Sequence, residues 1–257
     1  MTRRPMANQP GYAVPAEIGK RVLRPGGTEL THDLLEAVRI TSADDVVEFA
    51  PGTGETAREI AALGPNSYTG IERDREAAAT LRNEFSGPDR EIVVGDAAGT
   101  DRRAASADVV VGEAMLTMQP EDGTAAIMAE ANRLLRPGGR YGIHELGLVP
   151  DDLDADVKAT IREDLTAATK VPARPRTGTE WASLLEEAGF SVTWRSTSPM
   201  RLLEPTRVLD DEGVVRTLAI AYNLLTHPEA RRRLRSMRRV FNRHGNRLRA
   251  IAIVAEK

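Results

Sequence analysis

The sequence predicts an α/β fold in which helices cover both faces of a largely parallel sheet. Short apolar runs alternate with segments of helical period, which is typical of repeated strand-helix units. One run, 46–49, leads through the turn 50–54 into a helical pattern. A chain of 257 residues with 41% hydrophobic content can bury one good-sized core, so we expect a single domain.

Composition excludes several classes of protein. The chain has no cysteine, which rules out disulfides and thiolate metal sites. Its four histidines, His32, His144, His227 and His244, are too scattered to suggest a zinc site, so no metal is expected. The basic opening 1–5 is followed by no apolar run, and no stretch approaches the length of a membrane span. The expected location is cytoplasmic.

The first strand-helix unit has the features of a nucleotide-binding turn. Helical spacing over 28–38 precedes a β-branched run over 46–49. Gly52 and Gly54 lack Cβ atoms, so the backbone can adopt turn conformations closed to other residues and a ligand can approach it closely. This order of strand, tight loop and helix predicts a site for a nucleotide-like ligand.

An acidic residue ends the next predicted strand. Glu72 lies where a carboxylate can accept two hydrogen bonds from ribose hydroxyls. Gly52, Gly54 and Ala57 also match the Gly-x-Gly-x-x-Ala pattern of dinucleotide sites. The turn alone therefore leaves open a nicotinamide enzyme, and also a plain strand-to-helix turn without a ligand.

Further segments decide between these alternatives. A third strand over 91–98 ends in Gly-Asp-Ala, a fourth spans 107–115, and the turn in 134–141 leads into a fifth. In order and spacing these motifs resemble the class I S-adenosylmethionine-dependent methyltransferases, over about residues 19–197 and the final strand. The resemblance implies a Rossmann-like sheet of seven strands, mostly parallel, with an antiparallel last strand.

The resemblance also implies a cofactor and the residues that hold it. The cofactor would be S-adenosylmethionine, with S-adenosylhomocysteine as the product. Glu48 would lie near the amino end of its methionine part, Glu72 would hold the ribose, and Asp96 would accept from the adenine amino group while the Ala97 backbone meets the ring. The remaining implied contacts come from the loop and from residues flanking the adenine, namely Phe49, Ala50, Gly52, Gly54, Ile71 and Arg73. The family usually has glycine where this chain has Ala50, and we expect close approach to survive.

Two residues are candidates for the chemistry. Glu113, at the end of the fourth strand, would border the methyl group and the substrate. His144, just past the fifth strand, is placed to take a proton from a hydroxyl acceptor. A base is optional, because alignment and a water-poor pocket can carry much of the acceleration of an in-line displacement. The alternatives are a helix-terminus role for Glu113, a packed or substrate-lining His144 and a simple capping role for Asp96.

The segment before the first strand often covers the cofactor in related enzymes. Residues 1–40 would form a helical cap over the cofactor-binding core 41–197. Tyr12, Lys20 and Arg24 are candidate cap residues, although an ordinary solvated side chain is the stronger alternative for Lys20.

The pattern after the fifth strand predicts two more helices and a strand. Residues 150–175 indicate a helix followed by a loop, and 179–190 a capped helix closed by glycine, leading into a strand over 191–196. Residues 198–247 then intervene as a helical insertion before the final strand, 248–257.

The insertion contains two helical patterns, near 214–225 and over 229–244. The second has an apolar stripe opposite its arginines, formed by Leu234, Met237, Val240 and Phe241. One hypothesis is a lid whose apolar face closes over the substrate. A packed core or a homodimer contact explains the stripe equally well.

Charge and motifs bear on the partner. From Pro228 onward the net charge is +8, against −11 for the rest of the chain, and a basic patch of this kind can meet nucleic acid, acidic lipid or an acidic metabolite. Amino-methylating nucleic-acid enzymes typically carry Asn/Asp-Pro-Pro-aromatic after the fourth strand, and 113–116 has no such pattern. We therefore expect methyl transfer to O, N or C of a small organic molecule, with a nucleic-acid methyltransferase and a non-catalytic S-adenosylmethionine-binding protein as the alternatives.

Overall fold

A computed structural model describes residues 25–85, 87–200 and 226–257, with the separate positions 19, 217, 219, 220, 222 and 223. The helices are α1 (Gly27–Val38), α2 (Glu55–Ala62), α3 (Arg75–Glu84), α4 (Glu121–Leu134), α5 (Ala155–Thr169), α6 (Gly178–Glu187) and α7 (Pro228–Arg243). The strands are β1 (Asp45–Phe49), β2 (Ser67–Glu72), β3 (Arg90–Val94), β4 (Ala107–Glu113), β5 (Leu135–Leu148), β6 (Arg176–Thr177), β7 (Ser191–Pro199) and β8 (Leu248–Glu256). A short 3-10 helix, Leu116–Met118, follows β4.

The strands form one sheet in the order β3-β2-β1-β4-β5-β8-β7. β8 is antiparallel to both of its neighbours, and the other pairings are parallel. The predicted fold and its antiparallel last strand are thereby confirmed. The two-residue β6, which pairs with β5, makes the sheet eight-stranded where seven strands were expected. The strand order reverses between β1 and β4, and ligands of open α/β sheets bind in the crevice outside the carboxyl ends of the strands at such a point.

Helices pack on both faces of the sheet. One apolar cluster joins α1, α2 and α3 to the sheet through side chains such as Leu34, Ile60 and Leu81. A second cluster joins α4 and α6 to the opposite face through side chains such as Met128 and Trp181. Because side chains alternate along a strand, Glu48 and Glu113 project to the α1–α3 face together with Val46 and Val111.

α6 has the capped start and the glycine stop that its sequence predicts. Thr177 caps it through a reciprocal pair of bonds with Glu180, so the helix starts one residue earlier than the predicted segment. Gly189 follows the helix with a φ of 88°, a conformation that glycine adopts without a steric cost.

The apolar stripe of α7 is packed inside the protein. Met237 is buried, and Val240 and Phe241 pack on a third cluster formed by β5, α5 and β8. The structure therefore shows the packed-core alternative for this stripe. The first helical pattern of the insertion and the candidate cap residues Tyr12, Lys20 and Arg24 lie mostly or wholly outside the described residues. In the described part of the chain, no helix is both long and apolar enough to cross a membrane.

Candidate active site

The loop between β1 and α2 has an unusual run of left-handed backbone. Ala50, Gly52 and Gly54 have φ angles of 53°, 56° and 77°. Glycine adopts this region freely, whereas a residue with a Cβ does so at a cost of roughly 1–2 kcal/mol. Ala50 therefore has a backbone conformation that favours glycine. Ala114, directly after β4, has the same left-handed conformation with a φ of 54°. The two strained alanines follow the two strands that border the crevice.

Gly54 is also fixed by packing. A Cβ built on it would lie 2.5 Å from Leu81 Cδ2 of α3. By contrast, the nearest atom to a Cβ on Gly52 would be the Ala50 carbonyl oxygen, 3.8 Å away. Gly54 thus lets α2 and α3 pack closely, while Gly52 leaves the loop open to an approaching ligand.

The Glu72 carboxylate is held in place by backbone donors. Its Oε2 accepts from Gly52 N at 3.1 Å and its Oε1 accepts from Asp74 N at 2.8 Å. Asp74 in turn caps α3 by accepting from the backbone N–H groups of Glu76 and Ala77. Each Glu72 oxygen keeps a second lone pair, so an oriented carboxylate stands ready for two hydroxyl donors.

Glu48 is buried and is bonded to a tyrosine that the sequence did not point to. The Tyr68 hydroxyl donates to Glu48 Oε2 at 2.6 Å. Room for the ring comes from Gly70, because a Cβ there would lie 3.0 Å from Tyr68 Oη. Burial raises the pKa of the Tyr68 phenol well above its ordinary value, and the negative charge of Glu48 adds to the effect.

Glu113 is the meeting point of three elements. Its Oε2 accepts from the Thr56 hydroxyl of α2, and its Oε1 accepts from the Thr31 hydroxyl of α1 at 2.7 Å. His144 Nδ1 of β5 lies 2.8 Å from the same Oε1. Glu113 and His144 are directly paired across β4 and β5, so the register of the sheet itself brings them together.

The contacts around His144 assign its tautomer. The carboxylate of Glu113 can only accept, so the proton between the two residues belongs to His144 Nδ1. On the neutral ring, the lone pair is then on Nε2. Nε2 is buried, and within the described ranges it has no hydrogen-bond partner. A buried polar atom of this kind calls for an explanation, and a functional role is one of the few available.

A second buried acid shapes the segment after β4. Glu145 accepts from the backbone N–H groups of Met115, Leu116 and Thr117 and from the Thr117 hydroxyl. Burial raises the pKa of the Glu145 carboxyl, while these hydrogen bonds act in the opposite direction. Glu145 points away from His144 and fixes the 3-10 helix against β5.

The other predicted site residues lie at the same edge of the sheet. Ala97 is buried and Asp96 is exposed. Asp96 Oδ1 accepts from Ala98 N at 2.9 Å, a local bond that is compatible with a capping role. The Phe49 side chain is fully buried in the core, which leaves only its backbone facing the loop. Arg73 is exposed beside Glu72.

Sequence reasoning missed four residues that complete this geometry, namely Thr31, Thr56, Tyr68 and Glu145. Thr31, Thr56 and Glu145 reach the site through strand register and helix packing, which leave no local mark on the sequence. Tyr68 did carry a weak signal, because the glycine two residues later on the same strand face leaves space for an aromatic ring.

Comparisons with known proteins identify a methyltransferase domain in this chain. A family described as "Methyltransferase domain" matches residues 46–139. An uncharacterized protein of Haemophilus influenzae is 31% identical over 251 residues, covering 96% of this chain and 98% of that protein.

Solved structures share the fold at low identity. Phosphoethanolamine N-methyltransferase 2 of Haemonchus contortus, in complex with S-adenosyl-L-methionine, has a TM-score of 0.71 and 16% identity over 96% of this chain and 56% of that one. The [4+2]-cyclase SpnF has a TM-score of 0.72 and 15% identity over 96% of this chain and 93% of that one. These likenesses concern the fold, and one fold supports different reactions.

The residues present fit the family's cofactor. The loop has open space at Gly52, the Glu72 carboxylate is oriented toward it with unused lone pairs, and both lie at the point where the strand order reverses. With its motifs in register on this sheet, the chain belongs to the class I S-adenosylmethionine-dependent methyltransferase family, as an enzyme that uses S-adenosylmethionine.

Proposed function

We propose that this enzyme methylates an oxygen or nitrogen atom of a small organic molecule, with the Glu113–His144 pair taking the proton that the acceptor loses. The observation that carries the proposal is the buried His144 Nε2, which has no hydrogen-bond partner among the described residues, on a ring whose Nδ1 donates to Glu113. A carbon acceptor that must lose a proton would use the same pair.

The pair has the arrangement of a positioned general base. A carboxylate bonded to one ring nitrogen holds the imidazole in one tautomer and stabilises the imidazolium that forms on protonation. Glu113 is itself fixed by Thr31 and Thr56, so the imidazole is held from two helices and a strand. His144 is fully buried and its neighbour Thr31 belongs to α1, so an acceptor would reach Nε2 by displacing packing on the α1 side.

The cofactor would be held by the residues that the family resemblance selected. Glu48 and the Ala50–Gly54 loop would hold the methionine part, Glu72 the ribose, and Asp96 with the Ala97 backbone the adenine. When bound, the cofactor supplies the electrophilic methyl group. The protein residues then orient the acceptor, exclude water and take its proton.

The test uses His144→Gln, which keeps a polar side chain but removes the base. A metabolite extract is incubated with methyl-deuterated cofactor, and mass spectrometry identifies the labelled product. We expect the variant to bind S-adenosylhomocysteine with unchanged affinity and to lose turnover by about 10²–10⁴-fold, which is the usual size of general-base effects.

The matched control is His32→Gln, because that imidazole is exposed on α1 and its one ion-pair partner among the described residues is Glu59. Turnover of His144→Gln at the wild-type rate would remove the base from the mechanism. Labelling of no small molecule by the wild type, with the cofactor bound tightly, would favour the non-catalytic binding protein.

One observation favours nucleic acid as a second candidate substrate. The arginines of α7 include Arg231, Arg232, Arg235 and Arg239, and among the described residues none of the four forms an ion pair. A row of unpaired arginines can contact phosphates. Retention on DNA or RNA that falls steeply between 50 mM and 200 mM salt, together with labelling of the nucleic acid, would support this candidate.

A further inference from the structure

Arg176 is a buried arginine, and no carboxylate of the described residues lies at hydrogen-bond distance from its guanidinium. Its side chain is 7% exposed, and its guanidinium lies over the Trp181 ring with 5.2 Å between Cζ and the ring centroid. The nearest carboxylate in the described structure, Glu121 Oε1, is 3.9 Å from Nη2 and belongs to a side chain that is 81% exposed. Among the described residues, the guanidinium donates one hydrogen bond, from Nη1 to the Arg174 carbonyl oxygen at 3.3 Å. Burying a cation in this way is costly unless an anion compensates it.

Two arginines and two glutamates act on the charge of Arg176. Burial lowers the pKa of the Arg176 guanidinium, and the positive charges of Arg162 and Arg174 lower it further, against the opposing charges of Glu121 and Glu180. Glu180 is already bonded to Lys158 Nζ at 2.9 Å and to the Thr177 backbone.

Arg162 contributes an unsatisfied donor. Its Nε is buried, and no acceptor for it exists among the described residues. Arg174 anchors the group to the segment after β4, donating from its backbone N to Thr117 O at 2.8 Å and from Nη1 to Gln119 O at 3.2 Å. The three arginines therefore form a cluster, Arg162–Arg174–Arg176, with excess positive charge and spare N–H groups.

The sheet places this cluster just beyond the carboxyl end of β4, on the face that carries Trp181 and opposite to the face of His144. Gly147 of β5 pairs with Arg176 on one edge and with Arg249 of β8 on the other. β6 must therefore lie on the edge that β4 occupies up to the Glu113–His144 pair. Three residues of strand and one strand spacing separate His144 from Arg176, which puts their Cα atoms about 11 Å apart.

We propose that the cluster binds an oxyanion group of the methyl acceptor, so that the substrate of this enzyme is a small carboxylate or phosphate ester. The inference rests on the proposed function and names the substrate class for it. Arg174 and Arg176 would offer planar donor pairs that suit the two oxygens of a carboxylate or phosphate. A substrate that reaches both His144 and the cluster extends across the carboxyl end of β4, with its anionic group on the side of Trp181.

The test is calorimetric titration of protein saturated with S-adenosylhomocysteine, using inorganic phosphate and succinate as separate probes at constant ionic strength. The variant is Arg176→Met, which keeps an apolar stem over Trp181 and removes the charge. We expect the wild type to take up at least one of the two probes and Arg176→Met to bind it at least fivefold more weakly. The probe that binds identifies the anionic group.

Two further measurements separate the site from its alternatives. The triple variant Arg231→Gln, Arg235→Gln, Arg239→Gln removes unpaired arginines from α7 and should bind the probe as the wild type does. Without any anion, Arg176→Met should melt at the wild-type temperature or above it, because a buried charge without its ligand is replaced by an apolar side chain. A purely structural arginine would instead make this variant melt lower.

Three results would overturn the inference, namely no uptake of either probe by the wild type, unchanged uptake by Arg176→Met, or loss of uptake only in the α7 variant. The titration of S-adenosylhomocysteine on the same samples reports separately on the cofactor site. Anion uptake can therefore fail while the proposed methyl transfer stands.

Discussion

Ala50 and Ala114 show what the site requires of single residues. Both hold left-handed backbone immediately after a strand that borders the crevice, where the methyltransferase family usually has glycine at the first position. Backbone N–H groups on either side of the crevice are thereby engaged, since Ala50 N donates to Ile71 O at 2.8 Å and Ala114 N donates to His144 O at 2.7 Å. The left-handed backbone of the two alanines therefore turns the chain at the carboxyl ends of β1 and β4.

Ala50→Gly should therefore stabilise the protein. The left-handed backbone costs an alanine roughly 1–2 kcal/mol, and glycine removes this cost. Glycine also loses more backbone entropy on folding, which offsets about 0.5–1 kcal/mol of the gain. We therefore expect the free energy of unfolding, measured in urea, to rise by about 0.5–1 kcal/mol. Ala57→Gly, inside α2 and fully buried, is the control and should lose about 1 kcal/mol or more. A loss of stability in Ala50→Gly would show that the methyl group packs usefully.

Tyr68→Phe should weaken the anchoring of Glu48. The variant removes one hydroxyl donor from a buried carboxylate, so we expect the free energy of unfolding to fall by about 1–3 kcal/mol. Affinity for S-adenosylhomocysteine should fall more than affinity for 5′-methylthioadenosine, which lacks the amino-acid part expected near Glu48. Tyr222→Phe at an exposed position is the control, and equal losses for both ligands would contradict the role given to Glu48.

At the scale of elements, the site depends on how neighbouring helices and strands are joined. α1 and α2 meet over Glu113, and α4 is tied to the loop before β4 through Glu130. That carboxylate accepts from Thr100 N at 2.8 Å and from the Thr100 hydroxyl, and it pairs with Arg133. The hydrogen bond from Arg133 is the largest cause that lowers the pKa of Glu130, to about 2.

This carboxylate should make stability depend on acid pH. The folded pKa of about 2 lies below the ordinary value of 4.5, so the unfolded chain binds the proton more tightly. The stabilisation is complete above pH 4.5 and is lost as the pH falls from about 4.5 to about 2. We expect Glu130→Gln to lower the free energy of unfolding at pH 7 and to flatten its decline below pH 4.5. An unchanged acid limb in urea titrations would contradict this.

Truncation of a buried side chain on α7 tests whether its apolar stripe is packed or moves as a lid. Met237 is 3% exposed, so truncation to alanine should cost about 2–4 kcal/mol of unfolding free energy. Arg239→Ala on the exposed face is the control and should change stability by less than about 0.5 kcal/mol. Unaltered stability in Met237→Ala would indicate that the stripe is free to move as a lid.

At the scale of the whole molecule, the sequence predicted the turn proposed to hold the cofactor and named Glu113 and His144 as candidates, but it did not predict how the proposed acceptor site is assembled. Gly52, Gly54 and Glu72 lie within one strand-loop-helix-strand unit, where local spacing carries the geometry. The pairing of Glu113 with His144 depends on strand register across 31 positions. Arg162 and Arg174 come from the helix and the loop predicted over 150–175, whereas Arg176 lies on a two-residue strand that the sequence analysis did not predict.

The direct test of the whole account is calorimetric titration of S-adenosylhomocysteine into the full chain and into Glu72→Gln, with the exposed Glu91→Gln as control. We predict one molecule bound per chain, wild-type affinity in the control, and at least a tenfold loss in Glu72→Gln, which corresponds to about 1.4 kcal/mol. A well-folded wild type that takes up none of the ligand, or a Glu72→Gln variant that binds it undiminished, would contradict the cofactor crevice on which the account rests.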